Sequence, residues 1–208
     1  MQPLFTIGHS NHSQEKFIQL LNLYNITALA DVRSAPYSRY LPHFNKKPLQ
    51  NYLPSAEIHY VFLGAELGAR PDNPDCYVDG KATYERIAAT EVFQGGLQRL
   101  LKGIKQHRLA LMCAEKDPLT CHRAILICQH LTNLNLEIAH IHSDGELEYH
   151  ENLEERMLCL HGLGDPKETQ QLSLFPDQGP ALPPKSERLA QAYYQQGGRI
   201  AYVEKDNH

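Results

Sequence analysis

The sequence predicts an α/β protein: a mainly parallel, open sheet covered by helices on both faces, in a Rossmann-like three-layer arrangement. Three observations predict it. Short apolar runs such as "PLFTIGHS", "ITALADVRS" and "RLALMCAE" recur between turn residues. They are apolar at successive positions, as in strands buried on both faces. Segments with helical spacing separate them, and that alternation favours parallel pairing.

Each element can be justified in order. "PLFTIGHS" reads as a strand ending at Gly8. Ser13 can cap the helix "QEKFIQLLNLY", which has Phe17, Leu20, Leu21 and Tyr24 at helical spacing. "ITALADVRS" is the second strand, ending near Asp31. A long loop, "SAPYSRYLPHFNKK", leads to a short helix near "PLQNYLPSA" and a strand, "IHYVFLG". Residues 64–82, rich in Gly, Pro and Asp, read as loop. A helix is expected over roughly 83–105, interrupted or weakened at Gly95-Gly96. "RLALMCAE" is the fourth strand, "CHRAILICQHLTN" a helix starting near Cys121, "LEIAHIHS" the fifth strand, and 151–160 a closing helix. The division is therefore a domain over 1–160, a Gly- and Pro-rich linker over 161–184, and a tail over 185–208 with a short helix and an added edge strand.

The chain has 208 residues, 42% of them apolar, which is enough for one such domain without metals or disulfides. A formal net charge of -4 with no long run of one sign gives no global attraction to DNA or membranes. Any nucleic-acid contact must then come from a local basic patch. Five cysteines at irregular spacing imply no disulfide framework. The N-terminus lacks a charged-then-apolar leader pattern, and no apolar run reaches the roughly 20 residues that span a bilayer. A cytoplasmic location without membrane contact is expected.

In open α/β sheets ligands bind beyond the carboxyl ends of the strands. The unusual polar residues fall there: His9 and Ser10 after the first strand; Asp31, Arg33 and Ser34 after the second; Cys113 and Glu115 after the fourth; His140, His142 and Asp144 after the fifth. The richest stretch is "CAEKDPLTCHRA", Cys113 to Ala124, where a strand ends in a thiol and a carboxylate and a helix begins at Cys121-His122-Arg123. A helix start favours an anion and lowers a thiol pKa. Three roles compete for it: a phosphate cradle with Arg123, a thiolate nucleophile at Cys113 or Cys121, and a metal site of Cys113, Cys121 and His122, or His9 in its place. Cys128 lies on the apolar helix face and reads as core; Cys76 and Cys159 have no companions. His9, Asp31 and Glu115 are candidates for general acid or base, with Cys113, Cys121 and His122 completing the catalytic set. Ser10, Arg33, Ser34, Arg39 and Arg123 are candidates for holding phosphate. The loop after Asp31 interleaves Arg39, His43, Lys46 and Lys47 with Tyr37, Tyr40 and Phe44, which suits a phosphate backbone and stacked bases. The sequence requires no cofactor.

"TIGHS", "DVRSAPYSR", "CAEKDPLTCHR" and the closing "HI" pattern together resemble the DUF488 family, from about residue 4 to 160. The resemblance implies a compact α/β domain with a site at this rim. It names no reaction. The spacing departs from the cradles of cysteine phosphatases and rhodaneses, which set the Cys and Arg in one tight turn.

The linker carries "QLSLF", Gln171, Leu172, Ser173, Leu174 and Phe175, between Pro166 and Pro176. Exposed apolar residues in such a segment mark a docking peptide. The pentapeptide resembles the one by which bacterial polymerases and repair proteins dock on the replicative sliding clamp. In that resemblance Gln171 fills a polar subsite, and Leu174 and Phe175 enter an apolar pocket. Tethering would supply DNA affinity that the acidic chain lacks. The leading expectation is an enzyme acting on DNA or a nucleotide, a hydrolase or base-processing enzyme recruited to the clamp for repair or replication. The alternatives are a non-catalytic nucleic-acid adaptor and a small-molecule thiol- or metal-dependent enzyme.

Overall fold

The computed structural model describes residues 2–134, 136–165 and 182–204. In chain order the elements are β1 (Leu4–Gly8), α1 (Gln14–Leu23), β2 (Ala28–Asp31), α2 (Lys46–Tyr52), β3 (His59–Phe62), α3 (Gly64–Leu67), β4 (Tyr77–Val78), β5 (Lys81–Ala82), α4 (Tyr84–Ala88), α5 (Glu91–Gln106), β6 (Leu109–Cys113), β7 (Ile138–Ile141), β8 (Leu147–Tyr149), α6 (His150–Leu160) and α7 (Lys185–Ile200). Six strands form one sheet in the order β3-β2-β6-β1-β7-β8. The first five run parallel and β8 is antiparallel to β7. This is the mainly parallel three-layer α/β architecture expected from the sequence.

The strands are apolar on both faces because each face meets a layer of helices. Phe5, Ile7, Leu29 and Met112 pack with Phe17, Leu20 and Leu21 of α1 and Leu49 of α2. The alternate residues, Leu4, Ala30, Leu111 and Cys113, pack on the other side with Phe93, Leu97, Leu100 and Ile104 of α5, Met157 of α6 and Tyr193 of α7. Each buried large apolar side chain stabilises the fold by about 1.5–3 kcal/mol.

Local signals explain most boundaries. Ser13 caps α1, its hydroxyl accepting from the Lys16 N–H at 3.2 Å. The single helix expected over 83–105 is two, α4 and α5. Thr90 is extended and caps α5 by accepting from the Phe93 N–H, so the helix restarts there and not at the glycines. Gly96 lies inside α5 where a Cβ would come within 2.7 Å of the Glu66 side chain, so its bareness lets α5 approach α3. The stretch after Cys121 is not one regular α-helix. It begins as a short π-helix, Arg123–Ile127, and continues as 3-10 turns.

Residues 64–82 hold more order than their composition suggests. Asp79 and Gly80 both have positive φ, 49° and 72°, which makes the tight turn joining β4 to β5. The tail also differs from expectation. α7 is 16 residues long. It is joined to the body by Arg188, whose Nη1 donates to the Leu163 carbonyl at 2.6 Å, and by Gln196, whose Nε2 donates to the Leu119 carbonyl at 2.6 Å. The segment beyond it pairs with β5, not with the main sheet: Ala82 N–H donates to the Tyr202 carbonyl at 2.8 Å, and Lys81 bridges Val203. The peptide Gln171–Phe175 lies outside the described residues. Among the described residues no helix is long and apolar enough to cross a membrane.

Candidate active site

The expected rim of polar residues exists at the carboxyl edge of the sheet, but the pleat divides it in two. Side chains from alternate positions go to opposite faces.

On the α1–α2 face sits a buried ionic knot. Arg33 donates through Nε and Nη2 to the two Asp31 oxygens at 2.9 and 2.7 Å. Nη2 also donates to the Phe44 carbonyl at 2.7 Å. Tyr60 donates its hydroxyl to Asp31 at 2.8 Å. His9 stacks on the Phe44 ring at 4.4 Å. Its Nδ1 donates to the Ser10 carbonyl, so Nε2 is the acceptor for Arg33 Nη1 at 3.2 Å. Burial, and then the Arg33 charge, push the His9 pKa down to about 4. One of the five Arg33 donors is left without a partner among the described residues.

On the α5 face four side chains converge. The donor atoms of Cys113, Glu115, Cys121 and His122 all lie within 4.8 Å of one another. Cys113 Sγ is 3.6 Å and Cys121 Sγ 4.0 Å from His122 Nδ1. Cys121 Sγ is 3.1 Å from Glu115 Oε2. His122 Nε2 donates to the Val32 carbonyl at 3.0 Å, which turns the Nδ1 lone pair of the neutral ring toward both sulfurs. Asp117 caps the turn before Cys121 by accepting from the Leu119 N–H at 2.9 Å, and so fixes the return of the chain to β6.

The electrostatics of the four are coupled. Burial raises the Cys113 thiol, and the neighbouring Cys121 raises it further. Burial opposes ionisation of Cys121 as well, yet the Cys113 hydrogen bond and the charges of Arg123 and His122 hold it well below the usual thiol range. Burial and Cys121 push the Glu115 carboxyl up. Burial disfavours imidazolium at His122, but Cys121 outweighs it and raises His122. The shifts run in opposite senses: the surroundings favour negative charge on Cys121 and oppose it on Cys113 and Glu115.

Cys113, Glu115 and His122 open onto a cavity of about 290 Å³. Arg33, Ser34, Tyr37, Arg70, Tyr84 and Tyr202 also line it. Ser34 accepts from the Arg70 N–H at 3.0 Å, and the Arg70 guanidinium lies 4.4 Å from the Tyr202 ring. Tyr37 is exposed at the rim. Tyr84 is buried against the thiol cluster, and burial followed by the Cys121 charge raises its pKa.

The expected residues therefore separate. Cys113, Glu115, Cys121, His122, Arg33 and Ser34 come together. His9 and Asp31 do not reach the cavity and brace Arg33 from behind. Ser10 sits past β1, partly exposed, with its hydroxyl on Asn11. Arg39 is exposed beside the Tyr40 ring, outside the cavity. Arg123 is fully buried: Nε donates to Thr6 Oγ1, Nη1 to the Glu115 carbonyl at 2.7 Å and Nη2 to the Lys116 carbonyl. It does not line the cavity and pins the loop that carries Glu115. His140 points into the α5–α7 layer, and His142 pairs with Glu148 at 3.1 Å. Arg70, Tyr84 and Tyr202 were not singled out in the sequence. Each belongs to a segment that reads as loop, helix or tail until the fold joins it to this edge.

A family model for a domain of unknown function, DUF488, matches residues 13–129, more than half of the chain. The chain belongs to the DUF488 family. No curated protein and no solved structure matches it. The matched DUF488 span includes Cys113, Glu115, Cys121 and His122, the whole thiol–imidazole cluster, and stops short of α7 and Tyr202.

Proposed function

We propose that this DUF488 protein is an enzyme acting on DNA, or on a nucleotide within it, as a hydrolase or base-processing enzyme, and that Gln171–Phe175 docks it on a bacterial sliding clamp. The observation that carries the reading is the cavity: a floor of a thiol, an imidazole and a carboxylate, with the Cys121 thiol beside them, beneath a rim of cations and aromatic rings. Arg70 has no acidic partner among the described residues and is free to meet a phosphate. Tyr37 and Tyr202 offer faces on which a base can stack, a contact worth about 1–3 kcal/mol per base. The phosphate role assigned in the sequence to Arg123 passes in this reading to Arg70 and the remaining Arg33 donor.

Fluorescence anisotropy with single-stranded, mismatched and forked oligonucleotides tests the first half. Arg70→Ala and Tyr37→Ala should each weaken binding about tenfold, and Arg70→Ala should flatten its salt dependence. Wild-type protein that binds none of these substrates would refute the nucleic-acid reading. Binding to a purified clamp, with Leu174→Ala/Phe175→Ala as comparison, tests the second half; equal binding by both chains removes the docking role.

A further inference from the structure

We infer that Cys113, Cys121 and His122 bind one zinc-class divalent ion, with the Glu115 carboxylate over the fourth position, where the site opens to the cavity. The inference deepens the reading above and rests on it for the role of the cavity; the metal site itself stands on geometry alone.

The spacing of the donor atoms is close to that of a coordination tetrahedron. Zinc bonds of about 2.3 Å to sulfur and 2.0–2.1 Å to nitrogen give ligand-to-ligand edges of roughly 3.5–3.8 Å. The contacts here are 3.6 Å from Cys113 Sγ to His122 Nδ1, 4.0 Å from Cys121 Sγ to the same nitrogen, and 3.1 Å from Cys121 Sγ to Glu115 Oε2. An ion needs only small side-chain adjustments to sit among them.

The surrounding groups fit a metal as well. A ligating histidine usually gives its other ring N–H to a carbonyl or carboxylate, which fixes the tautomer. His122 does this with Val32 at 3.0 Å. The Arg123 backbone N–H donates to Cys121 Sγ at 3.4 Å, a contact that steadies a ligating thiolate. Two thiolates and a carboxylate carry three negative charges. A divalent ion and the buried Arg123 guanidinium balance them. Thiolate and imidazole donors select zinc-class ions over magnesium or calcium. A site with three protein ligands and an open fourth position is catalytic in form. Glu115 then stands where it can take a proton from a water in that position. The resulting hydroxide adds to an electrophilic centre of the substrate, and Glu115 returns the proton to the leaving atom.

The test is metal content of the full-length protein, purified under reducing conditions without chelator, followed by exchange to Co²⁺. Close to one ion per chain and a thiolate-to-cobalt charge-transfer band are expected. Cys113→Ser, Cys121→Ser and His122→Ala should each lose the ion, while the exposed Cys159→Ser and the mouth variant Glu115→Gln keep it. Metal-free wild-type protein with intact circular dichroism, or full metal retention in Cys121→Ser, overturns the inference. Should the ligand variants fail to fold, alkylation of wild-type protein mapped by mass spectrometry decides. A chelator should speed labelling of Cys113 and Cys121 and leave Cys128 unchanged; identical labelling with and without chelator overturns it. Oligonucleotide binding lost in Arg70→Ala but present in metal-free protein would leave the nucleic-acid reading standing and sink the metal alone. Stoichiometric metal without oligonucleotide binding would do the reverse.

Discussion

Two histidines at this edge show how hydrogen-bond partners decide what an imidazole can do. Both nitrogens of His9 are taken, by the Ser10 carbonyl and by Arg33, so its ring serves to hold a guanidinium. His122 spends only Nε2, on Val32, and keeps Nδ1 for the sulfurs. The sequence offered both as candidates with equal force, because the motifs give residue types at strand ends and not the direction each side chain takes. Gly8 is the residue on which the edge depends. A Cβ there would lie 1.9 Å from the Glu115 carbonyl oxygen, which crosses directly over the end of β1. Gly8→Ala must therefore push the Ala114–Lys116 loop away and disturb the His9 N–H bond to the Cys113 carbonyl, now 2.8 Å. A destabilisation of about 3 kcal/mol or more is expected in urea titration. An unchanged midpoint would mean that the crossing is looser than described.

At the scale of elements, a chain of hydrogen bonds ties β1, β7, α6 and α7 together. Arg123 Nε donates to Thr6 Oγ1 at 3.2 Å, and the Thr6 hydroxyl donates to His140 Nδ1 at 2.8 Å. His140 Nε2 then donates to His150 Nδ1 at 2.9 Å, His150 Nε2 to the Tyr193 hydroxyl at 2.8 Å, and Tyr193 to Glu154 at 2.8 Å. The Glu154 end sets the direction: Tyr193 spends its proton there, so His150 Nε2 must donate to the hydroxyl, and both neutral rings carry their proton on Nε2. Tyr193→Phe leaves the buried His150 N–H and a half-buried carboxylate without their partner. It should cost about 1–3 kcal/mol by thermal or denaturant unfolding; a neutral result would show that water or a side-chain shift replaces the hydroxyl. The strands and helices around this chain were legible in the sequence, since apolar runs and the Ser13 cap mark them. The hairpin of β4 and β5 and the added strand β8 carry their own signal in the Asp79-Gly80 and Asp144-Gly145 turns, the first within a stretch that reads as loop and the second just before the closing helix. The chain of hydrogen bonds was not legible, because it joins residues 6, 123, 140, 150 and 193 that share no local pattern.

For the whole molecule, buried neutral histidines set the response to acid. Burial lowers His9 and His150 to about 4, and burial with the neighbouring His150 lowers His140. The unfolded chain takes up these protons near pH 6.5, whereas the folded chain resists until about pH 4. The contribution of these histidines is therefore full above about pH 6.5 and falls as pH drops toward 4. His9 and His150 should each cost on the order of 2 kcal/mol by pH 5. Urea midpoints at pH 7.5 and pH 5 check this, and equal midpoints would contradict it.

The tail enters at this scale too. Proline and glycine content marks 161–184 as a connector, but nothing local tells that α7 lies on α6 or that Ile200 and Tyr202 wall the cavity. Because Arg188 is bonded to Leu163, the chain leaves the body and re-enters it at nearly one point. Residues 171–175 lie between these two anchored segments in sequence, so shortening the protein from its C-terminus cannot remove them alone. Truncation after residue 165 would strip away one wall of the cavity along with the peptide. A truncated strain would therefore confound the proposed recruitment with the state of the cavity, and substitutions within 171–175 test the proposal separately.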